Sequence, residues 1–246
     1  MSRSSDEPFF DEAGAARYDD DPMPMVDGSP IEAAVEVLAS LADGGEALEF
    51  GIGTGRVAIP LASRGVAVHG IDSSEPMLRR LRAKPGGGDV HAVRGDFAST
   101  RVDSSFLLVF LVFNTIENVT SQAAQAAVFR NAAAHLRSGG TFVVEVTVPD
   151  LRRLPPGERF VVFDVGEEHW GIDEYDVASQ GLISHHLSTV DGTLLRSSGS
   201  FRYVWPSELD LMAELAGLRL RSRWGGWGRE PFTNESRMHV SIWEKP

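Results

Sequence analysis

The chain contains no cysteine. That absence excludes a disulfide framework, thiolate zinc and iron–sulfur sites and a cysteine nucleophile, and it fits a reducing, cytoplasmic compartment. Basic residues are scarce: 23 Lys and Arg face 35 Asp and Glu, a net charge of −12. A chain this acidic is repelled by a phosphate backbone, so nucleic acid is not an expected partner. Long apolar runs are missing too. No uncharged stretch approaches the ~20 apolar residues of a membrane span, and the acidic N-terminus lacks the apolar core of a signal peptide. A soluble, unexported protein without a membrane partner is therefore expected. What is present is 246 residues, 42% of them hydrophobic, enough for one α/β domain with a sizeable core.

Residues 1–30 read as a lid or tail, because Asp6, Glu7, Asp11, Glu12, Asp19, Asp20 and Asp21, followed by Pro22 and Pro24, cannot pack a core of their own. From Ile31 the apolar positions Val35, Leu38 and Leu41 recur at helical spacing up to Gly44-Gly45. A short apolar strand, residues 47–50, then runs into Gly51-Ile52-Gly53-Thr54-Gly55, with a helix predicted over 56–64. Residues 66–72 form a second strand ending in Asp72, with Ser74 as N-cap and Pro76 early in the next helix. Further strands are predicted at 90–93, 106–113 and 141–148, and a helix capped by Thr120-Ser121 reaches Leu136. This alternation argues a parallel sheet doubly wound with helices. After Pro149 the texture changes to antiparallel strands at 160–165, 175–178, 182–190 and 194–205, with Asp191-Gly192 as the clearest hairpin turn. A helix over 206–216 and strands at 218–224 and 238–243 close the chain.

The glycine loop departs from the dinucleotide fingerprint, since Arg56 stands where a small residue should pack the helix on a pyrophosphate. Glu49, two residues before Gly51, suits a ligand that carries an ammonium group, as S-adenosylmethionine does. Asp72 at the second strand end suits the two ribose hydroxyls. At the third strand end, Gly95-Asp96-Phe97 offers an acid to the adenine amine and an aromatic face to its ring.

Leu48-Glu49-Phe50-Gly51-Ile52-Gly53-Thr54-Gly55-Arg56, Gly70-Ile71-Asp72-Ser73-Ser74, Gly95-Asp96-Phe97 and Leu136-Arg137-Ser138-Gly139-Gly140 resemble the ordered motifs of class I S-adenosylmethionine-dependent methyltransferases. The resemblance covers roughly residues 47–149, and the last two strands fit it. It implies an α/β fold: a doubly wound, mostly parallel seven-stranded sheet of Rossmann-like methyltransferase type with an antiparallel β cap inserted. Residues 31–149 and 206–246 would form the cofactor-binding core and 150–205 the cap. The cofactor would be S-adenosyl-L-methionine, leaving as S-adenosyl-L-homocysteine. Glu49 would face the methionine amine, Gly51, Gly53 and Gly55 would line the loop, Asp72 would hold the ribose, and Asp96 with Phe97 would contact adenine. Tyr18, Ser73, Met77, Gly95 and Phe113 complete the expected cofactor set.

The resemblance also puts the residues after the fourth strand between the methyl group and its acceptor. Asn114 is the candidate catalytic residue there, with Thr115 and Asn118 on the substrate, although all three equally suit a turn. A general base for a hydroxyl acceptor would be His185 or His186, of which strand alternation points one inward. Tyr175, Trp205 and Trp224 would either wall the substrate or fill the core of the cap. The Pro-Pro-aromatic tetrad of amino-methylating nucleic-acid enzymes is missing, and Asn114 stands where a metal-assisted enzyme would want an acid, so no metal is expected. Residues 113–118, 148–151 and 205–209 resemble bacterial, largely actinobacterial, small-molecule methyltransferases of natural-product type. Methylation of nitrogen or oxygen on a small molecule, by a monomer or homodimer, is the expectation. The seven acids of the lid together with Glu167, Glu168, Asp173, Glu174 and Asp176, were they to face the cleft, would favour a cationic or amine-bearing acceptor. The alternatives are an NAD(P)-dependent oxidoreductase, opposed by Arg56 and Glu49, and a catalytically silent S-adenosylmethionine-binding subunit.

Overall fold

The computed structural model describes residues 12–19, 31–190 and 192–246. Most of the expected lid, residues 1–11 and 20–30, and Asp191 of the hairpin turn lie outside the described residues. Eleven strands and six α-helices follow in order among the described residues. They are α1 (Glu12–Arg17), α2 (Ile31–Ala42), β1 (Glu46–Phe50), α3 (Ala58–Ser63), β2 (Ala67–Asp72), α4 (Glu75–Ala83), β3 (His91–Arg94), β4 (Phe106–Leu111), α5 (Gln122–His135), β5 (Leu136–Thr147), β6 (Phe160–Val165), β7 (His169–Asp176), β8 (Gly181–Val190), β9 (Thr193–Arg202), α6 (Pro206–Leu215), β10 (Arg219–Trp224) and β11 (Met238–Glu244).

Seven strands form one sheet in the order β10-β11-β5-β4-β1-β2-β3. β1 to β5 run parallel, and β11 lies antiparallel to β5 and β10. Their apolar runs are buried on both faces. Leu38, Leu61 and Leu81 from α2, α3 and α4 pack on one side, while Phe129 and Met212 from α5 and α6 pack on the other. The strand order turns back at β1 and β4, which opens a crevice at their C-terminal ends. Local signals set the helix starts: Ser74 Oγ accepts from Met77 N–H at 3.3 Å, and Ser121 Oγ accepts from Ala124 N–H at 3.2 Å.

The second sheet, β6-β7-β8-β9, is wholly antiparallel and lies between β5 and α6 in the chain. A polar junction fastens it to the core. Arg202, 5% exposed, pairs with Glu208 of α6 at 2.8 Å and donates to Gln125 of α5. Gln125 in turn donates to the carbonyls of Ile116 and Arg202, both at 3.1 Å.

Among the strands, β5 begins at Leu136 rather than Thr141 and β9 ends at Arg202 rather than Trp205, and β7 departs most from expectation. β7 begins at His169 rather than Tyr175, because pairing with β6 and β8 on both edges makes a strand of a segment whose apolar alternation Gly171 and Asp173 interrupt. Residues 115–118 curl into a 3-10 turn between β4 and α5, in keeping with the turn that Asn114, Thr115 and Asn118 suit.

Candidate functional site

The crevice is built on Asp72. Its Oδ2 accepts from Gly53 N–H and its Oδ1 from Ser74 N–H, each at 2.8 Å, so one carboxylate ties the glycine loop to the N-terminus of α4. Burial raises its pKa, and the two N–H donors oppose that rise. Gly53 has φ +55°, and a Cβ there would meet no atom closer than 3.9 Å, so the backbone is held in a glycine conformation beside open space. Gly51 differs, since a Cβ would stand 2.5 Å from the Thr115 methyl. Thr115 therefore packs directly on the loop.

Glu49 is 4% exposed, and its Oε2 has no hydrogen-bond partner. Desolvation, with Asp72 beside it, pushes its pKa well above the ordinary value, against one backbone N–H from Ala58. A buried carboxyl with an idle oxygen, next to a loop open at Gly53, fits a ligand ammonium group. Gly95 donates to Asp72 O at 2.9 Å. Asp96 is exposed and caps its own turn through Ala98 N–H at 2.8 Å, and Phe97 stacks on Phe50 with centroids 5.8 Å apart. Met77 is buried, while Ser73 is exposed. These residues thus assemble around the ends of β1, β2 and β3.

Residues 12–19 lie against this site. The Arg56 guanidinium sits 4.6 Å from the Tyr18 ring centroid and 5.8 Å from that of Phe113, joining the two. Asp19 accepts from Thr54 Oγ1 at 2.7 Å and from Lys84 Nζ at 2.9 Å. Burial raises the Tyr18 pKa, with Arg56 lowering it and Glu49 and Asp72 raising it further, so the phenol sits near both acids.

The turn after β4 is strained: Phe113 and Asn114 have φ +56° and +57°. Two contacts hold it. Glu145 Oε2 accepts from Phe113 N–H at 3.0 Å, and Asn114 Oδ1 accepts from Thr147 N–H at 2.8 Å. The oxygen of Asn114 is thereby committed to the backbone. Thr115 Oγ1 donates to Val112 O at 2.6 Å and Asn118 Nδ2 to Thr115 O at 3.3 Å, so these two side chains serve the turn. Glu145 also takes a hydrogen bond from Trp227. Neither residue was singled out from sequence for this role, because nothing local marks them.

Glu117 was likewise not singled out. It is 7% exposed. Burial, then Asp173, pushes its pKa up to about 8. Asp173 projects from the β7 face that also carries Tyr175, and Tyr175 feels Asp173 and Glu117 alike. Tyr175 and Tyr203 lie 5.7 Å apart, with Trp205 beyond at 6.3 Å from Tyr203. This aromatic group packs with Val161, Leu151 and Leu154. Trp224 is elsewhere: it packs on the α2 side of the large sheet under Arg229, its ring centroid 5.3 Å away, and lines a cavity of about 350 Å³ with Leu41 and Thr141.

His185 and His186 point to opposite faces of the second sheet. His186 shares the face of Asp173 and Tyr175 through the pairs Gly171–His186 and Asp173–Ser184. His185 bonds Ser198 Oγ at 2.8 Å and lies 3.4 Å from Glu174 on the other face. Of the acids expected at the cleft, Asp173 alone joins Glu117. Glu174 pairs with Arg159 at 3.3 Å, and Glu167, Glu168 and Asp176 are exposed.

A family described as a methyltransferase domain matches residues 47–140. The chain is 31% identical to the cypemycin N-terminal methyltransferase of a Streptomyces species, over 98% of this chain and 99% of that one. The solved structure of the CcbJ methyltransferase from Streptomyces caelestis matches with a TM-score of 0.83 and 37% identity, covering 94% of this chain and 95% of that one. CalS10, an amino pentose methyltransferase from Micromonospora echinaspora solved with S-adenosylmethionine, shares the fold at a TM-score of 0.68 and 20% identity, over 99% and 100% of the two chains. The oxidoreductase alternative finds no support among them. Among the described residues, no helix is long and apolar enough to cross a membrane. The chain belongs to the class I S-adenosylmethionine-dependent methyltransferases, in the company of natural-product enzymes, and S-adenosylmethionine is its cofactor.

Proposed function

We propose that the protein methylates the amine nitrogen of a small, natural-product-type acceptor. The observation that carries this reading is the Glu117 carboxyl, 7% exposed and set against Asp173, where the turn after β4 meets the second sheet. A buried carboxyl set against a second, half-buried one is costly unless a cation or a proton lies between them. The relative named for N-terminal methylation points the same way.

S-adenosylmethionine supplies a methyl group on a positively charged sulfur, so no further activation of the methyl is needed. The protein's part is binding, orientation and proton handling. Glu49 receives the methionine ammonium, and the loop from Gly51 to Gly55 lets the backbone approach it. Asp72, whose oxygens each hold a backbone N–H, keeps lone pairs for the ribose hydroxyls. Gly95, Asp96 and Phe97 take the adenine, and Ser73, Met77, Phe113 and Tyr18 complete the wall. Asn114 positions the turn instead of touching the proton. Residues 150–205 act as the cap over the core of 31–149 and 206–246, and Glu117 with Asp173 receives the acceptor's ammonium and takes one proton from it.

Titration calorimetry with S-adenosylhomocysteine, followed by methyl transfer to a panel of primary and secondary amines, alcohols and phenols, tests this. Turnover of amines, with a raised KM in Glu117→Gln, is expected. Turnover of phenols or alcohols in preference to amines, or an unchanged amine KM in that variant, would overturn it.

A further inference from the structure

On the Tyr175 face of the second sheet, five side chains from three strands join in one line. Asp164 Oδ2 lies 2.5 Å from His169 Nδ1, and His169 Nε2 lies 2.9 Å from His186 Nδ1. His186 Nε2 lies 3.3 Å from Ser184 Oγ, and Ser184 hydrogen-bonds the Asp173 carboxylate. Asp173 in turn raises the pKa of Glu117 in the 3-10 turn after β4. One end is dry, with Glu117 7% exposed; the other is wet, with the side chains of Asp164 and His169 48% and 35% exposed.

The register builds this line. Gly171 faces His186 and Asp173 faces Ser184, and the Phe163 ring occupies the space a Cβ on Gly171 would fill. His186 packs edge-on against that ring at 5.6 Å. Both nitrogens of both imidazoles are used within the line. Each ring can accept a proton on one nitrogen and release one from the other, which a purely structural cluster does not require. Charged and titratable neighbours are Tyr175, Asp150 and Tyr203 at the dry end and Arg159, Glu174 and His185 on the opposite face. From β9, only Ser197 and Gly199 stand opposite His186 and Ser184.

We propose that this line is a proton exit path, which carries the proton shed by the acceptor amine from the Glu117–Asp173 pair through Ser184, His186 and His169 to solvent at Asp164. The proposal rests on the amine reading above. The acceptor's ammonium loses one proton to a carboxylate of the pair, breaking N–H and forming O–H. The freed lone pair forms the N–CH3 bond as the CH3–S bond breaks, its electrons remaining on sulfur. The carboxyl then passes its proton to Ser184 Oγ while the hydroxyl proton moves to His186 Nε2. His186 releases a proton from Nδ1 to His169, and His169 releases one from its own Nδ1 to Asp164 and water.

Histidine ring signals of the full chain with S-adenosylhomocysteine, followed by NMR across neutral pH, test the connection without an acceptor. Asp173→Asn should lower the His186 midpoint by roughly half a pH unit or more, because a negative charge is lost, and leave exposed His91 unmoved. Independent, unchanged titrations of His169 and His186 would overturn the proposal. With an amine found to turn over, Ser184→Ala and His186→Ala should each lower kcat by about tenfold or more at unchanged KM, and added imidazole should restore part of the rate in His186→Ala. An unchanged kcat in both variants would equally overturn it. Should no amine be methylated, the amine reading and the exit path fail with it, while the titrations still decide whether Asp173, His186 and His169 form one coupled line.

Discussion

Asp72 serves two purposes with one carboxylate, bracing the Gly53 turn and leaving lone pairs toward the crevice. Asp72→Ala is therefore expected to weaken S-adenosylhomocysteine binding by roughly 1.5–3 kcal/mol, the loss of hydrogen bonds to a charged group; calorimetry measures it. Glu117 leads to a prediction about pH. Its pKa is raised from 4.5 to about 8 in the folded chain, so the folded state binds its proton more tightly than the unfolded one. The stability this contributes is complete below pH 4.5 and is lost as pH rises toward 8. Glu117→Gln should accordingly melt higher than wild type at pH 8 in the ligand-free protein, by an amount that shrinks toward pH 4.5. Melting curves at the two pH values check this.

At the scale of elements, α1 and the two residues after it touch the crevice through side chains rather than through a core. Tyr18 stacks on Arg56, and Asp19 reaches Thr54 and Lys84. Removing residues 1–21 should weaken cofactor binding by roughly 1–2 kcal/mol, about 5–30-fold, while the melting temperature falls by only a few degrees. Calorimetry and melting curves of the truncated chain separate the two effects. The second sheet depends instead on a buried ion pair. Arg202 and Glu208 have side chains only 6% and 13% exposed, so Arg202→Ala leaves a carboxylate uncompensated and should cost about 3–5 kcal/mol in denaturant unfolding.

For the whole molecule, the net charge of −12 creates a field that attracts cations and is screened by salt. For an amine acceptor, kcat/KM should fall as ionic strength rises from low salt; a flat profile would show that the acids serve only solubility. Such steering would belong to the whole molecule, since of the five acids expected from the second sheet and its loops only Asp173 meets Glu117 and the others face solvent or Arg159.

The amino-acid sequence alone determined which residues line the crevice at the ends of β1, β2 and β3. Glu49, the glycine loop, Asp72 and Gly95-Asp96-Phe97 each sit at the end of one strand, so their spacing is local, and the parallel sheet brings them together by its regular geometry. Only the tertiary structure decided what meets the turn after β4 from the second sheet. Glu117 and Asp173 come from a 3-10 turn and an inserted sheet, and their meeting depends on how Arg202 and Gln125 fasten one to the other. The pairing that separates His186 from His185 depends on register, and the bracing of Phe113 by Glu145 and Trp227 depends on strands and loops distant in the chain. Periodicity encodes which face of an element is apolar. It does not encode which carboxyl of an inserted sheet will meet a buried one in a turn of the core, because that is fixed by packing after both sheets have formed.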